Sequence, residues 1–138
     1  MKGWERHAMC TTPYLSQEDL AILSAFARVR GEGARELASL IASSIPLPAT
    51  QKQARRVALG ATVRYRAVGA SETQAVVIAC PHDANALLAR VSILTPLALG
   101  LLGHAEGCTV GIALPHARTL PVDIVEVQPP SSHLCHPR

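Results

Sequence analysis

Aromatic side chains are scarce in this chain: one Trp, two Tyr and one Phe among 138 residues. That is too few to line an aromatic pocket, and binding modes built on one are disfavoured from the start. Long apolar runs are missing too. The best candidate, "SILTPLALGLLGH" (92–104), is shorter than the roughly 20 residues that span a bilayer, and His104 with Glu106 closes it off. A strong excess of one charge sign is also lacking, since 13 Lys/Arg stand against 10 Asp/Glu. No run of five basic residues occurs, and "QKQARR" (51–56) is the densest basic cluster, which argues against a specific nucleic-acid arm. The small excess sits in residues 1–57, with eight basic and five acidic side chains, whereas residues 58–138 hold five of each. The opening "MKGWERHAMC" has no apolar core of a secretory leader, so a cytoplasmic protein is expected. Its four cysteines, Cys10, Cys80, Cys108 and Cys135, are then expected as free thiols.

Signatures of catalysis are absent as well. The sequence has no G-x-S-x-G elbow, no phosphate-binding Gly loop and no dinucleotide fingerprint after a strand. Glu72, Asp83, Glu106, Asp123 and Glu126 fall in turns or strands without the paired spacing that acid/base chemistry needs. No enzyme activity and no cofactor are expected. Three clusters bring possible metal ligands together: Cys80 with His82, His104 with Cys108, and His133 with Cys135 and His136. None has a C-x2-C pair, so Cys80 and Cys108 read better as small buried hydrophobes than as zinc ligands.

What is present fits 138 residues that form one ordinary domain or a small domain with a helical appendage. Residues 1–13 lack periodicity and read as a flexible leader. Ser16 suits a helix N-cap, Asp19 the capping-box position, and Leu15 can staple onto Leu20. Apolar residues at helical spacing continue to about Val29 before Gly31 and Gly33 break the pattern. A second, shorter period begins near Ala34, includes Leu37, Leu40 and Ile41, and fades at "SSIPLP". Residues 14–44 therefore predict a short antiparallel helical hairpin, and Pro-containing residues 45–60 a linker.

From Ala61 the period shifts to two. "TVRYRAV" and "TQAVVIA" flank the turn "GASE" and predict a β-hairpin, with "ARVSIL", "TVGIAL" and "LPVDIVEV" as further strands. The apolar run at 92–104 resolves into a strand end, a cap at Thr95, Pro96 at the first helical position, a two-turn helix, and Gly103 just beyond it. The fold class is α+β, with a mostly antiparallel sheet over 61–128, one short helix on it, and a flexible tail at 129–138.

The segment from about Val63 to Val127 resembles the FKBP-like C-terminal domain of the bacterial Gre transcript elongation factors. Four stretches carry the resemblance: "VRYRAV", "VSILTPLALGLLG", "AEGCTVGIALPHART" and "VDIVEV". Because "YLSQEDLAIL", "GARELASLI" and "SSIPLP" give a short hairpin and a Pro-containing linker, the chain is most similar to the family's Rnk branch, regulators of nucleoside diphosphate kinase.

The resemblance implies a partner, RNA polymerase, engaged at the rim of its secondary channel. In the cleavage factors of the family a long coiled-coil finger delivers two acidic residues to the polymerase active centre, where they help hold a metal ion. The tip here is "RVRGEGARE", in which Glu32 is the one carboxylate between Arg30 and Arg35, and Glu36 lies beyond on the second helix. A first helix over 16–29 would be roughly 21 Å long at 1.5 Å per residue, a stub beside that finger. By position the family's polymerase contact falls on Leu94, Thr95 and Pro96, and Leu94 departs from the acidic or amide residue found there. The expected function is noncatalytic regulation of transcription by competing with or modulating the cleavage factors, with any link to nucleoside diphosphate kinase indirect. Two alternatives stay open. The FKBP-like fold supports peptidyl-prolyl isomerases elsewhere, but Tyr65 is the only aromatic residue of this region. A Cys/His metal or redox module is the other.

Overall fold

The computed structural model describes residues 12–29, 31, 33–47, 55–116 and 118–129. The expected leader and tail fall almost wholly outside these residues, as do Arg30 and Glu32 of the tip.

Strand β1 (Tyr14–Ser16) runs directly into helix α1 (Gln17–Ala27). Ser16 is the N-cap, its hydroxyl accepting the Asp19 N–H at 3.1 Å, which satisfies one of the donors a helix start leaves open. Asp19 does not return the bond to Ser16 as a capping box would. Its carboxylate instead accepts the N–H of Leu59 at 3.2 Å, forty residues away. Helix α2 (Ala34–Ser43) packs beside α1, with Leu23 and Leu37 fully buried between the helices and the rest of the core. Strand β2 (Ile45–Leu47) then pairs in parallel with β1, Tyr14 opposite Ile45 and Ser16 opposite Leu47. The stretch read as the start of a linker is therefore hydrogen-bonded structure.

The sheet contains β3 (Thr62–Ala67), β4 (Gln74–Ala79), β5 (Arg90–Ser92), β6 (Thr109–Leu114) and β7 (Arg118–Gln128) in the order β5-β4-β3-β7-β6. Every pairing is antiparallel except the short β4–β5 one. Alternation places Val63, Val76, Ile78, Val110, Ile112, Val122 and Ile124 in the core, as period two requires. On β7 the phase slips: Arg64 faces Glu126, yet Tyr65 faces Ile124. Val125 is the extra residue of a bulge and turns outward, while Val127 returns to the core.

Helix α3 (Pro96–Leu101) covers one face of the sheet. Thr95 caps it, Pro96 takes the first position, and Gly103 follows its end with φ +85°, the left-handed conformation that glycine adopts without a Cβ penalty. Ala98, Leu101 and Leu102 are fully buried, each large side chain contributing roughly 1.5–3 kcal/mol. Gly100 sits so close to β6 that an added Cβ would run into Ile112. Cys80 is a core residue. Cys108 corrects the thiol expectation, since it is disulfide-bonded. No helix among the described residues is long and apolar enough to cross a membrane.

Candidate functional site

The turn that precedes α3 is built by its own polar groups. The Thr95 hydroxyl donates to the Ser92 carbonyl at 2.7 Å and accepts the Ala98 N–H at 3.4 Å. Ser92 contributes twice more: its hydroxyl accepts the Leu94 N–H at 3.1 Å and its carbonyl accepts the Thr95 N–H at 3.0 Å. Thr95 is thus spent on holding the turn, Leu94 lies half-buried against the core, and Pro96 is the exposed member. The structure keeps these three residues together at the mouth of a cleft of about 700 Å³.

The far wall of that cleft comes from the helix pair. Gly33 has φ +85°, and a Cβ there would strike the Leu94 carbonyl oxygen, so the start of α2 rests directly on the turn. Glu36 lines the cleft with it, as do Leu99, Leu114 and Pro115. Arg35 is exposed on the same first turn of α2 and is not among the lining residues. Sequence reasoning placed Leu94–Pro96 but not Glu36, because no local pattern reports that α2 packs on a turn nearly sixty residues later.

A second cleft of about 560 Å³ shares Thr95, Pro96 and Leu114 with the first and opens toward β3. Tyr65 is its only aromatic side chain, and its hydroxyl donates to Gln74 Oε1 at 2.8 Å. Burial raises the Tyr65 pKa above the ordinary phenol value.

Behind the clefts, the helix pair is fastened to the sheet at its base. The Arg56 guanidinium lies 4.4 Å from the centroid of Tyr14 and donates to the Gly103 carbonyl at 3.2 Å. That carbonyl also accepts the Tyr14 N–H at 2.9 Å. His104, beside it, is buried, and among the described residues its Nδ1 has no hydrogen-bond partner. Burial, and secondarily the Arg56 charge, lower its pKa from 6.5 to about 4, because both disfavour the imidazolium. Asp19 moves the other way: burial raises its pKa, the Leu59 N–H opposes the rise, and Glu18 adds to it. Phe26 of α1 stacks on His82, their ring centroids 6.1 Å apart.

Three acidic residues of the sheet region have structural partners. Glu106 accepts the Val127 N–H at 2.9 Å, Asp123 accepts the Thr109 hydroxyl at 2.6 Å and faces Arg66, and Glu126 pairs with Arg64. Among the described residues no three His, Cys, Asp or Glu side chains converge as a metal site would require; His133, Cys135 and His136 lie outside them.

None of the curated proteins matches this chain in sequence. Among solved structures it is similar to the prokaryotic transcription elongation factor GreA/GreB from Nitrosomonas europaea, at 25% identity and a TM-score of 0.68, over 86% of this chain and 99% of that one. GreA factor homolog 1 (Gfh1) of Thermus thermophilus matches at 15% identity and a TM-score of 0.46, over 86% of this chain and 100% of that one. Gfh1 of Thermus aquaticus matches at 14% and 0.48, over 87% and 100%. Both Gfh1 likenesses are too distant to carry an argument. Residues 52–129, more than half of the chain, match the family pattern of the GreA/GreB transcription elongation factor C-terminal domain. The chain therefore belongs to the GreA/GreB transcription elongation factor family.

Proposed function

We propose that this protein is a cytoplasmic, noncatalytic regulator of transcription that docks on RNA polymerase beside the secondary channel and competes with or modulates the Gre cleavage factors. In this reading residues 61–128 form an FKBP-like docking domain that presents Leu94, Thr95 and Pro96. Residues 14–44 form a hairpin, joined through 45–60, that is too short to deliver chemistry. The observation that carries the reading is the length of the helices. α1 has 11 residues and α2 has 10, about 16 Å and 15 Å at 1.5 Å per residue. Such a finger cannot reach from a docking site at a pore rim to an active centre within the pore.

Chemistry supports the same division of labour. Stimulated cleavage needs a pair of carboxylates around a second catalytic metal ion, because hard cations take oxygen ligands. The tip stretch 28–36 contains Glu32 and Glu36, and Glu36 lines the cleft rather than the end of the finger. Placement in the Rnk branch belongs to this proposal, and any influence on nucleoside diphosphate kinase would be exerted through transcription rather than by contact.

The test is a competition assay. The protein is titrated into stalled RNA polymerase complexes with a Gre cleavage factor present or absent, and RNA shortening is followed. Suppression of factor-dependent cleavage without cleavage by the protein alone is the expected result. Cleavage by the protein alone would overturn the noncatalytic assignment, and no effect at saturating concentration would overturn the docking assignment.

A further inference from the structure

Resting on the docking assignment, we infer that the polymerase contact is composite: the cleft between α2 and the Leu94–Pro96 turn receives an apolar polymerase segment carrying one basic side chain, which pairs with Glu36. The lining is mostly apolar, with Leu94, Pro96, Leu99, Leu114 and Pro115 around it. Glu36 is the single charged residue of that lining. It is exposed, and none of the ion pairs among the described residues engages it. An apolar trough with one unpaired carboxylate on its wall is complementary to a segment with a Lys or Arg flanked by aliphatic side chains, and complementary charge across an interface selects partner and register.

The placement of Glu36 is imposed rather than incidental. Gly33 is the N-cap of α2 and Glu36 stands in the first turn of that helix. Gly33 has no space for a Cβ against the Leu94 carbonyl, which fixes the start of α2 on the turn. Glu36 and Pro96 consequently line the same cleft. An acidic residue in a first helical turn also interacts favourably with the helix dipole. That local role affects the stability of α2 and predicts no loss of partner binding.

Binding of the labelled full-length protein to core RNA polymerase is measured at two salt concentrations for the parent, Glu36→Gln, Glu36→Lys, Pro96→Glu and the neighbouring control Arg35→Gln. Melting curves check that each variant is folded. Glu36→Gln should weaken binding about threefold at low salt and Glu36→Lys roughly tenfold or more, with both losses shrinking as salt rises, while Arg35→Gln changes little. Loss with Pro96→Glu but parental binding by both Glu36 variants overturns the composite cleft and leaves the docking assignment standing. Tighter binding by Glu36→Lys also overturns it, since the cleft would then take an acidic segment. Failure of the parent protein to bind polymerase overturns both.

Discussion

Acidification should loosen this protein through one imidazole. His104 is buried beside Arg56, and its pKa is held at about 4 instead of 6.5. Folding depresses this pKa, so the contribution to stability is whole above pH 6.5 and is lost as pH falls toward 4. The unfolded chain binds a proton that the folded chain refuses. With those two values, His104 alone removes about 2 kcal/mol between pH 7.5 and pH 5, and about 3 kcal/mol once both states are protonated. For a chain of this size 2 kcal/mol corresponds to roughly 6–10 °C in Tm. Carboxylates titrate over part of the same range, so the parent is compared with His104→Gln, which carries no proton at any pH. Urea unfolding of both proteins at pH 7.5 and 5.0 isolates the imidazole. The parent should lose about 2 kcal/mol more than the variant between the two pH values. Equal losses would refute the assignment of a buried, proton-refusing His104.

Three further substitutions test how the helix pair is attached. Asp19→Asn retains an acceptor for the Leu59 N–H but removes the buried charge; because the folded Asp19 pKa is raised, the parent gains stability from this group as pH falls through the carboxylate range, and the variant should lack that gain in urea titrations. Arg56→Lys should cost about 1–2 kcal/mol in thermal or urea unfolding, since an ammonium reproduces neither the planar stack on Tyr14 nor the directed bond to the Gly103 carbonyl. Gly33→Ala combines a strained left-handed φ with a clash against the Leu94 carbonyl and should cost about 1–3 kcal/mol; hydrogen exchange should quicken in α2 while Val63, Ile78 and Ile124 stay protected.

Local chemistry was the most readable part of the sequence. Thr95, Pro96 and Gly103 delimited α3, and Ser16 capped α1, because caps and helix ends are decided within a few residues. The five sheet strands were legible from their period of two. Features that depend on distant partners were not. The parallel β1–β2 pair comprises three residues a strand and includes Pro46, too short for any alternation to register. Asp19 satisfied a capping-box pattern yet serves Leu59, and the adjacent apolar pair Ile124–Val125 interrupts the alternation of β7 where the bulge turns Val125 outward, an interruption that periodicity alone does not assign to a bulge. At the candidate site the sequence supplied Leu94, Thr95 and Pro96 as one contiguous turn. The opposing wall depends on Gly33 meeting that turn in space, a contact to which composition and periodicity are blind.

The helix pair touches the rest of the protein at both ends of α3. At one end Gly33 meets Leu94, and at the other Tyr14 donates to the Gly103 carbonyl. α2 also touches α3 itself. Inserting one heptad into each helix, about 10 Å of extra rise, would leave the base fastened while carrying the tip past Leu94. The same scaffold would then hold a projecting arm in place of a wall.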